Sequence, residues 1–424
     1  MAERLDDLHL ADLHALAAKL GVPRFRLLRR EELVSEIEAR NGGGELATAE
    51  AEPEPAPDAE REPEDEPEVE REREGPAEPV ETVRGLLEIT PQRYGFLRLH
   101  GLDPGPDDVY VSASQVRRCQ LRPGDEVAGP ARSPRRGERH RALIHVDRVN
   151  EAETLAERPE FERLTPIVPT RRVPLDHDPG DVLIRAVDLL APVALGQRVL
   201  VTAAPRSGRT TLMRGLARAI GAVGRCELVV LLIDERPEEA TAWRAGLPEA
   251  EIASATAELA PEEQVRAAEL ALQRVRRHAE SGRDAVLIVD SLSRLAVAAE
   301  RVLEVKRLFG SGRELAEEGA GSVTVIATVV AGADDGGAAE RAVVTTESSL
   351  IALDPDLAAA GVVPALRASQ CRVSNEDTLR SPDELDAVRR LRSLFASLDT
   401  AAAANLLRER IEAVPTNGEL LQGL

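Results

Sequence analysis

The eight residues Ala204-Pro205-Arg206-Ser207-Gly208-Arg209-Thr210-Thr211 decide how this chain is read. Ahead of them, residues 197–203 (QRVLVTA) read as a buried strand. After them, residues 211–220 (TLMRGLARAI) read as a helix. A strand, a turn of small residues and a helix N-terminus aim several backbone N–H groups and a helix dipole at one point, which suits an anion. Phosphate-binding loops of this design end Gly-Lys-[Ser/Thr]. This one ends Gly208-Arg209-Thr210. The pattern predicts a nucleotide site with an unusual cation.

Outward from that loop, everything from Phe161 onward alternates strand and helix signals. Strands are expected at 198–203, 227–233, 285–290 and 322–330, and helices at 211–221, 261–280 and 384–397. This is the pattern of an α/β domain with a mainly parallel sheet, whose ligand sits at the carboxyl ends of the strands. Two further strand ends carry chemistry. Residues 228–233 run into Asp234-Glu235-Arg236-Pro237-Glu238-Glu239, where an acid facing the loop can orient and deprotonate a water. Residues 285–289 run into Asp290-Ser291. Asp290 suits a Mg2+ shell shared with the Thr210 hydroxyl, or else a plain helix N-cap.

Ahead of this domain the period shortens. Residues 83–89, 94–98, 109–111 and 142–146 are short strand-like runs separated by Gly, Pro and Asp turns, the signature of a small barrel. Three of the chain's eight aromatic residues, Tyr94, Phe96 and Tyr110, fall here. Tyr94 and Phe96 are two apart and share one strand face, which Arg98 continues. Residues 82–150 hold 12 arginines against 8 acids. Rings interleaved with cations suit the stacking of unpaired bases; the competing reading is ordinary barrel core.

Composition sets the limits. The net charge of −21 is concentrated: residues 45–81 contain 16 Asp/Glu, 3 Arg and 7 prolines, with almost nothing apolar. That stretch is expected to be an extended linker, acting either as a solvating spacer or as an acidic mimic competing for a basic RNA groove. Residues 3–40 show leucines at helical spacing, broken at Gly21-Val22-Pro23, and read as a small helical module. Cys119, Cys226 and Cys371 are far apart, which argues against a disulfide framework or zinc site and fits a reducing cytoplasm. The start MAERLDDLHL is too charged for a signal peptide, and no run of 18 apolar residues marks a membrane span. Only Lys19 and Lys306 are lysines, against 52 arginines, so arginine has displaced lysine chain-wide.

Taken together, the motifs resemble the family of bacterial transcription termination factor Rho, hexameric RNA-dependent ATPases and helicases. The resemblance rests on Gly95-Phe96-Leu97-Arg98, Asp107-Asp108-Val109-Tyr110-Val111-Ser112, Leu121-Arg122-Pro123-Gly124-Asp125 and Gly137-Glu138-Arg139 in the barrel. Beyond the barrel it rests on Leu164-Thr165-Pro166, residues 186–192, Gly196-Gln197-Arg198, residues 234–239 and Asp290-Ser291-Leu292-Ser293-Arg294-Leu295. It implies a multidomain chain: a helical module (1–41), an acidic linker (42–81), an OB-fold, cold-shock-like RNA-binding barrel (82–152) and a RecA-like ATPase domain (153–424). It further implies ATP and Mg2+ as cofactors and single-stranded RNA as partner. A cytoplasmic homo-hexamer, or a mixed hexamer with an intact Rho, is implied too, with RNA polymerase as a further partner. By the same resemblance, Tyr94, Phe96, Arg98, Tyr110, Glu138 and Arg139 line the RNA groove. Gly196, Gln197, Arg198, Arg206, Ser207, Gly208, Arg209, Thr210, Thr211 and Arg236 belong to the nucleotide site. Glu235 and Asp290 are the catalytic acids, with Thr210 and Asp290 on the metal.

The departures cluster. Arg206 and Arg209 stand where the family has lysines. The pore loop after residue 295 is mostly missing, and a Lys-Gly-Thr-Gly-Asn pore segment is replaced by Val344-Thr345-Thr346-Glu347-Ser348. Where the family places an arginine finger, this chain has Asp354-Pro355-Asp356, and no Arg or Lys occurs from Ala342 to Leu366. Two readings follow: an RNA-stimulated ATPase of transcription termination, or a hydrolysis-deficient RNA- and nucleotide-binding paralogue acting as a regulatory or mixed-hexamer subunit.

Overall fold

A computed structural model describes residues 34, 81–152, 158–330 and 336–423. Apart from Val34, the expected helical module and acidic linker lie outside the described residues. The chain divides into two units, Met1–Arg73 and Glu74–Leu424, and the barrel and the α/β domain both lie in the second.

The barrel comprises β1 (Glu81–Ile89), β2 (Gly95–Arg98), β3 (Val109–Val111), β4 (Glu126–Arg132), β5 (Arg141–Leu143) and β6 (Arg148–Val149), with helix α1 (Ala113–Arg118) after β3. The order β1-β2-β3-β5-β4 closes on itself through a β1–β4 pairing, and β3–β5 is the one parallel step on this path. Inward positions are filled by Val83, Leu87, Leu97, Val109, Val127 and Leu143. Strand β4 was hidden from the sequence by Gly129-Pro130 at its centre. The glycine is needed there: a Cβ on Gly129 would stand 2.2 Å from the His145 carbonyl oxygen. Pro130, lacking an N–H, serves through its carbonyl, which accepts from Ile144 N at 2.8 Å.

The α/β domain comprises β7 (Pro166–Ile167), β8 (Arg198–Ala203), β9 (Glu227–Glu235), β10 (Glu251–Thr256), β11 (Ala285–Asp290), β12 (Arg313–Leu315), β13 (Ser322–Val330), β14 (Ser349–Ala352) and β15 (Arg372–Val373). The order β10-β9-β11-β13-β8-β14 is parallel throughout. Strand β15 adds antiparallel at one edge, and β12 pairs antiparallel with β13 and β7. Helices cover both faces, each over its own apolar cluster, which is why β9, β11 and β13 are near-continuous apolar runs. Relevant to the site are α2 (Val182–Leu190), α3 (Arg209–Val223), α4 (Pro237–Gly246), α5 (Pro261–Glu280), α6 (Leu292–Ala299), α7 (Val302–Phe309), α8 (Gly336–Val343) and α9 (Pro355–Ala359). No helix among the described residues is long and apolar enough to cross a membrane.

Barrel and α/β domain are seated on each other. Arg274 on α5 pairs with Glu251 at 2.7 Å and with Glu126 of the barrel at 3.4 Å. Asp103 accepts from Ser254 N at 2.7 Å. Gly124, at φ +80°, passes so close to α5 that a Cβ would lie 2.6 Å from the Gln273 carbonyl carbon.

Candidate nucleotide and nucleic-acid sites

The loop leaves β8 at Ala203 and enters α3 at Arg209. Gly208 is the helix N-cap in the left-handed region (φ +87°), and a Cβ placed on it meets nothing within 4 Å. Arg206 is also left-handed (φ +63°), a conformation that a non-glycine residue adopts at some cost. Ser207 is fully buried; its hydroxyl donates to the Ala204 carbonyl at 2.8 Å and braces the turn. Thr210 is half-buried in the first turn of α3, while Arg206 and Thr211 are exposed.

The sheet order places β13 between the loop strand and β11, so loop and acids meet over the end of β13. Arg209 closes that gap. Its Nε lies 3.1 Å from Asp290 Oδ1 and its Nη2 lies 3.3 Å from Glu235 Oε1. Asp290 also accepts from the Thr328 hydroxyl of β13 at 3.1 Å and is 1% exposed. Burial pushes its carboxyl above the usual carboxylate range, and Arg209 opposes that shift. Glu235 is held from the other side by Arg294 Nη1, which also donates to the Ile233 carbonyl at 3.2 Å. Arg294 lies inside the matched Asp290–Leu295 motif, but only folding shows that α6 turns it back onto β9. Arg236 is exposed at the N-cap of α4, and its side chain makes no hydrogen bond or ion pair among the described residues.

Asp290 and Thr210 fit a Mg2+ ion in donor chemistry. One carboxylate and one hydroxyl leave the remaining positions to phosphate oxygens and waters, as Mg2+ prefers. Such an ion would neutralise phosphate charge there. Among the described residues no cluster of three acids, histidines or cysteines offers an all-protein cage.

Three expected nucleotide residues are not brought to the loop. Gly196, Gln197 and Arg198 stand at the amino end of β8, one whole strand away. Gly196 and Gln197 shape the backbone there. A Cβ on Gly196 would lie 2.3 Å from Glu314 N, and the Gln197 side chain accepts from Ala194 N at 2.9 Å.

In the barrel, the rings of Tyr94, Phe96 and Tyr110 do converge, with centroids 5.5–6.1 Å apart. All three are half-buried on the outer face, whereas Leu97, Val109 and Val111 fill the core, so the core reading fails for them. His140 adds a fourth ring 5.0 Å from Phe96. Nothing in sequence flagged it, because the β3–β5 pairing alone brings it there. Arg98 lies 5.9 Å from the Phe96 centroid and is pinned by Glu88 (Nε to Oε2, 2.9 Å) and Asp108. Glu138 accepts from both Arg132 terminal nitrogens (2.7 and 2.8 Å) and from Arg135 N. Those bonds pull its carboxyl down to about 2. Arg139 is exposed, and with Tyr110, Arg118, Arg132 and His140 it lines a groove of about 520 Å³.

The departures have clear geometry. Helices α6 and α7 are joined by Glu300-Arg301 alone, with Glu300 left-handed at φ +52°. Val297 and Leu303 are exposed beside this joint. Asp354 is the N-cap of α9, accepting from Asp356 N and Leu357 N and pairing with Arg367 Nε at 2.9 Å.

Residues 83–154 match the family "Rho termination factor, RNA-binding domain", and residues 184–312 match "ATP synthase alpha/beta family, nucleotide-binding domain". The transcription termination factor Rho of Aquifex aeolicus is 32% identical over 451 residues, covering 100% of this chain and 95% of that one. The Streptomyces lividans Rho is 36% identical over 80% of this chain and 51% of its own length. The Pseudomonas aeruginosa Rho is 34% identical over 80% of this chain and 87% of its own.

Proposed function

This chain belongs to the family of transcription termination factor Rho, and from that premise we propose that it binds nascent single-stranded RNA on the barrel and ATP at the loop, acting in transcription termination. The observation that carries the reading is the four-ring cluster of Tyr94, Phe96, Tyr110 and His140 on a closed barrel seated against a phosphate-loop domain. Bases stack on the rings. Arg98, fixed by Glu88 and Asp108, presents its remaining edge to a base or phosphate, and the basic groove tracks the backbone. At the loop, Gly208 and the first turn of α3 supply N–H groups for phosphate, Arg206 and Arg209 supply charge, and Arg236 flanks them. Glu235 serves as the base that orients water, Arg294 positions it, and Asp290 with Thr210 holds Mg2+. Assembly as a hexamer in the cytoplasm, in contact with RNA polymerase, belongs to the same reading. Single-round transcription tests it: adding the chain with ATP should release shortened transcripts, and unchanged full-length product rejects the reading for the chain acting alone.

A second reading is favoured by Asp354. Where a finger arginine would reach a neighbour's phosphates, this chain presents a helix-capping carboxylate already bonded to Arg367. A finger is worth about 10³–10⁵ in rate. On this reading the chain binds RNA and nucleotide but turns ATP over slowly, as a regulatory subunit mixed into hexamers of an intact Rho. The same transcription assay separates the two: here release appears only with intact Rho present, and added chain lowers it.

A further inference from the structure

We propose that a second anion site, for the phosphate group of a small phosphorylated molecule, lies at the opposite end of the sheet from the loop, between Arg198 and Arg313. A cavity of about 360 Å³ opens there, within the ~300–1,000 Å³ range of small-molecule pockets. It is set apart from the loop by the six residues of β8, about 20 Å at ~3.3 Å per residue.

The two guanidiniums are held in place with no ion pair among the described residues, Glu162 being the acid that acts on Arg313. Arg198, at the first position of β8, donates Nη1 to the Gly312 carbonyl at 2.8 Å and Nε to the Thr346 carbonyl. Arg313 on β12 lies over the buried Phe161 ring, 4.7 Å from its centroid, and its guanidinium makes no hydrogen bond or ion pair among the described residues. Burial and the neighbouring Arg313 together hold Arg198 below the ordinary arginine value. Several other partly buried guanidiniums rest on carboxylates: Arg98 on Glu88, Arg122 on Glu280, Arg274 on Glu251, Arg392 on Glu376. The one acid lining this cavity, Glu347, gives Oε1 to Arg372 at 2.7 Å and partly offsets the charge of Arg198 without pairing with it.

Two like charges kept together on a concave wall create a potential that draws an anion. Planar guanidinium forks match phosphate oxygens, and a phosphate carrying close to two charges matches the pair better than a single carboxylate. Ser374 and Asn375 line the same cavity as further polar partners. On its rim, Ile167 and Val168 are 44% and 48% exposed, an apolar ledge for the organic part of the ligand.

The test is isothermal titration of the full chain with inorganic phosphate and with adenosine 5′-monophosphate, at fixed ionic strength. Arg313→Gln removes a guanidinium that makes no hydrogen bond to the protein, so the fold should persist. Ile167→Asp is a second variant, placing an anion on the exposed rim. Arg209→Gln weakens the loop instead. Binding that survives Arg209→Gln, falls at least tenfold in Arg313→Gln and Ile167→Asp, and is tighter for the nucleotide than for inorganic phosphate is the expected result. Loss of all phosphate binding in Arg209→Gln, or wild-type titration by Arg313→Gln, would overturn the proposal. Equal affinity for the two probes would overturn the role of the apolar ledge.

Discussion

Arg209 Nε stands 3.1 Å from Asp290 Oδ1, so the cation of the phosphate loop is spent on the acid that would hold the metal. The same guanidinium reaches Glu235 at 3.3 Å. A lysine is a compact point charge; the wider fork spans both acids at once. Nucleotide must therefore draw Arg209 off two carboxylates before its phosphates gain that charge.

Releasing this clasp should not restore turnover by itself. In Arg209→Lys we expect phosphate release with RNA to stay far below that of an intact family member, because Asp354, the N-cap of α9, still stands where the family resemblance places a finger arginine. Full RNA-stimulated release by Arg209→Lys, measured as inorganic phosphate over time, would show that the loop cation was the sole defect.

Asp290 is a stability liability at neutral pH. Its carboxyl is raised by burial, so ionising it in the folded state costs free energy. The sign is then fixed: its favourable contribution is present at low pH and is lost as pH rises through its raised folded value. Asp290→Asn should melt at a higher temperature than wild type, with the gain largest at alkaline pH and shrinking on acidification. A lower melting temperature at every pH would mean that the Arg209 contact outweighs burial.

Glu138 behaves oppositely. Its carboxyl is lowered to about 2 by Arg132 and the Arg135 N–H, so its hold on Arg132 is complete above the ordinary glutamate range and fades only as pH falls toward about 2. Between pH 5 and 8 the groove's geometry should not change on this account. Glu138→Gln should alter RNA affinity by the same factor at pH 5 and pH 8; a factor that grows with pH would contradict this.

Gly124 should be irreplaceable. It is left-handed at φ +80° and touches the α5 backbone, so Gly124→Ala combines an unfavourable backbone conformation with overpacking, about 2–4 kcal/mol together. Thermal melting should show a clear loss, and a change within about 0.5 kcal/mol would show that the barrel seats differently.

Much of this was legible because parallel strands buried on both faces leave apolar runs, and because chemistry sits where those runs end, at Gly208, Glu235 and Asp290. What was not legible depended on closure in three dimensions. Strand β4 was masked by Gly129-Pro130, which satisfies a close approach to His145. His140 and Arg294 reach their sites through pairings and helix packing with no local signature. The family resemblance places Gly196-Gln197-Arg198 at the nucleotide site, and nothing local shows that they stand at the amino end of β8 while the loop leaves its carboxyl end.

The most direct test of the account is the affinity of the full chain for a pyrimidine-rich single-stranded RNA, in wild type and in the Phe96→Ala, Tyr110→Ala double variant. Stacking is worth about 1–3 kcal/mol per base, so removing both rings should weaken binding by at least about 30-fold while the melting temperature holds. Unchanged affinity in a folded double variant would contradict the account.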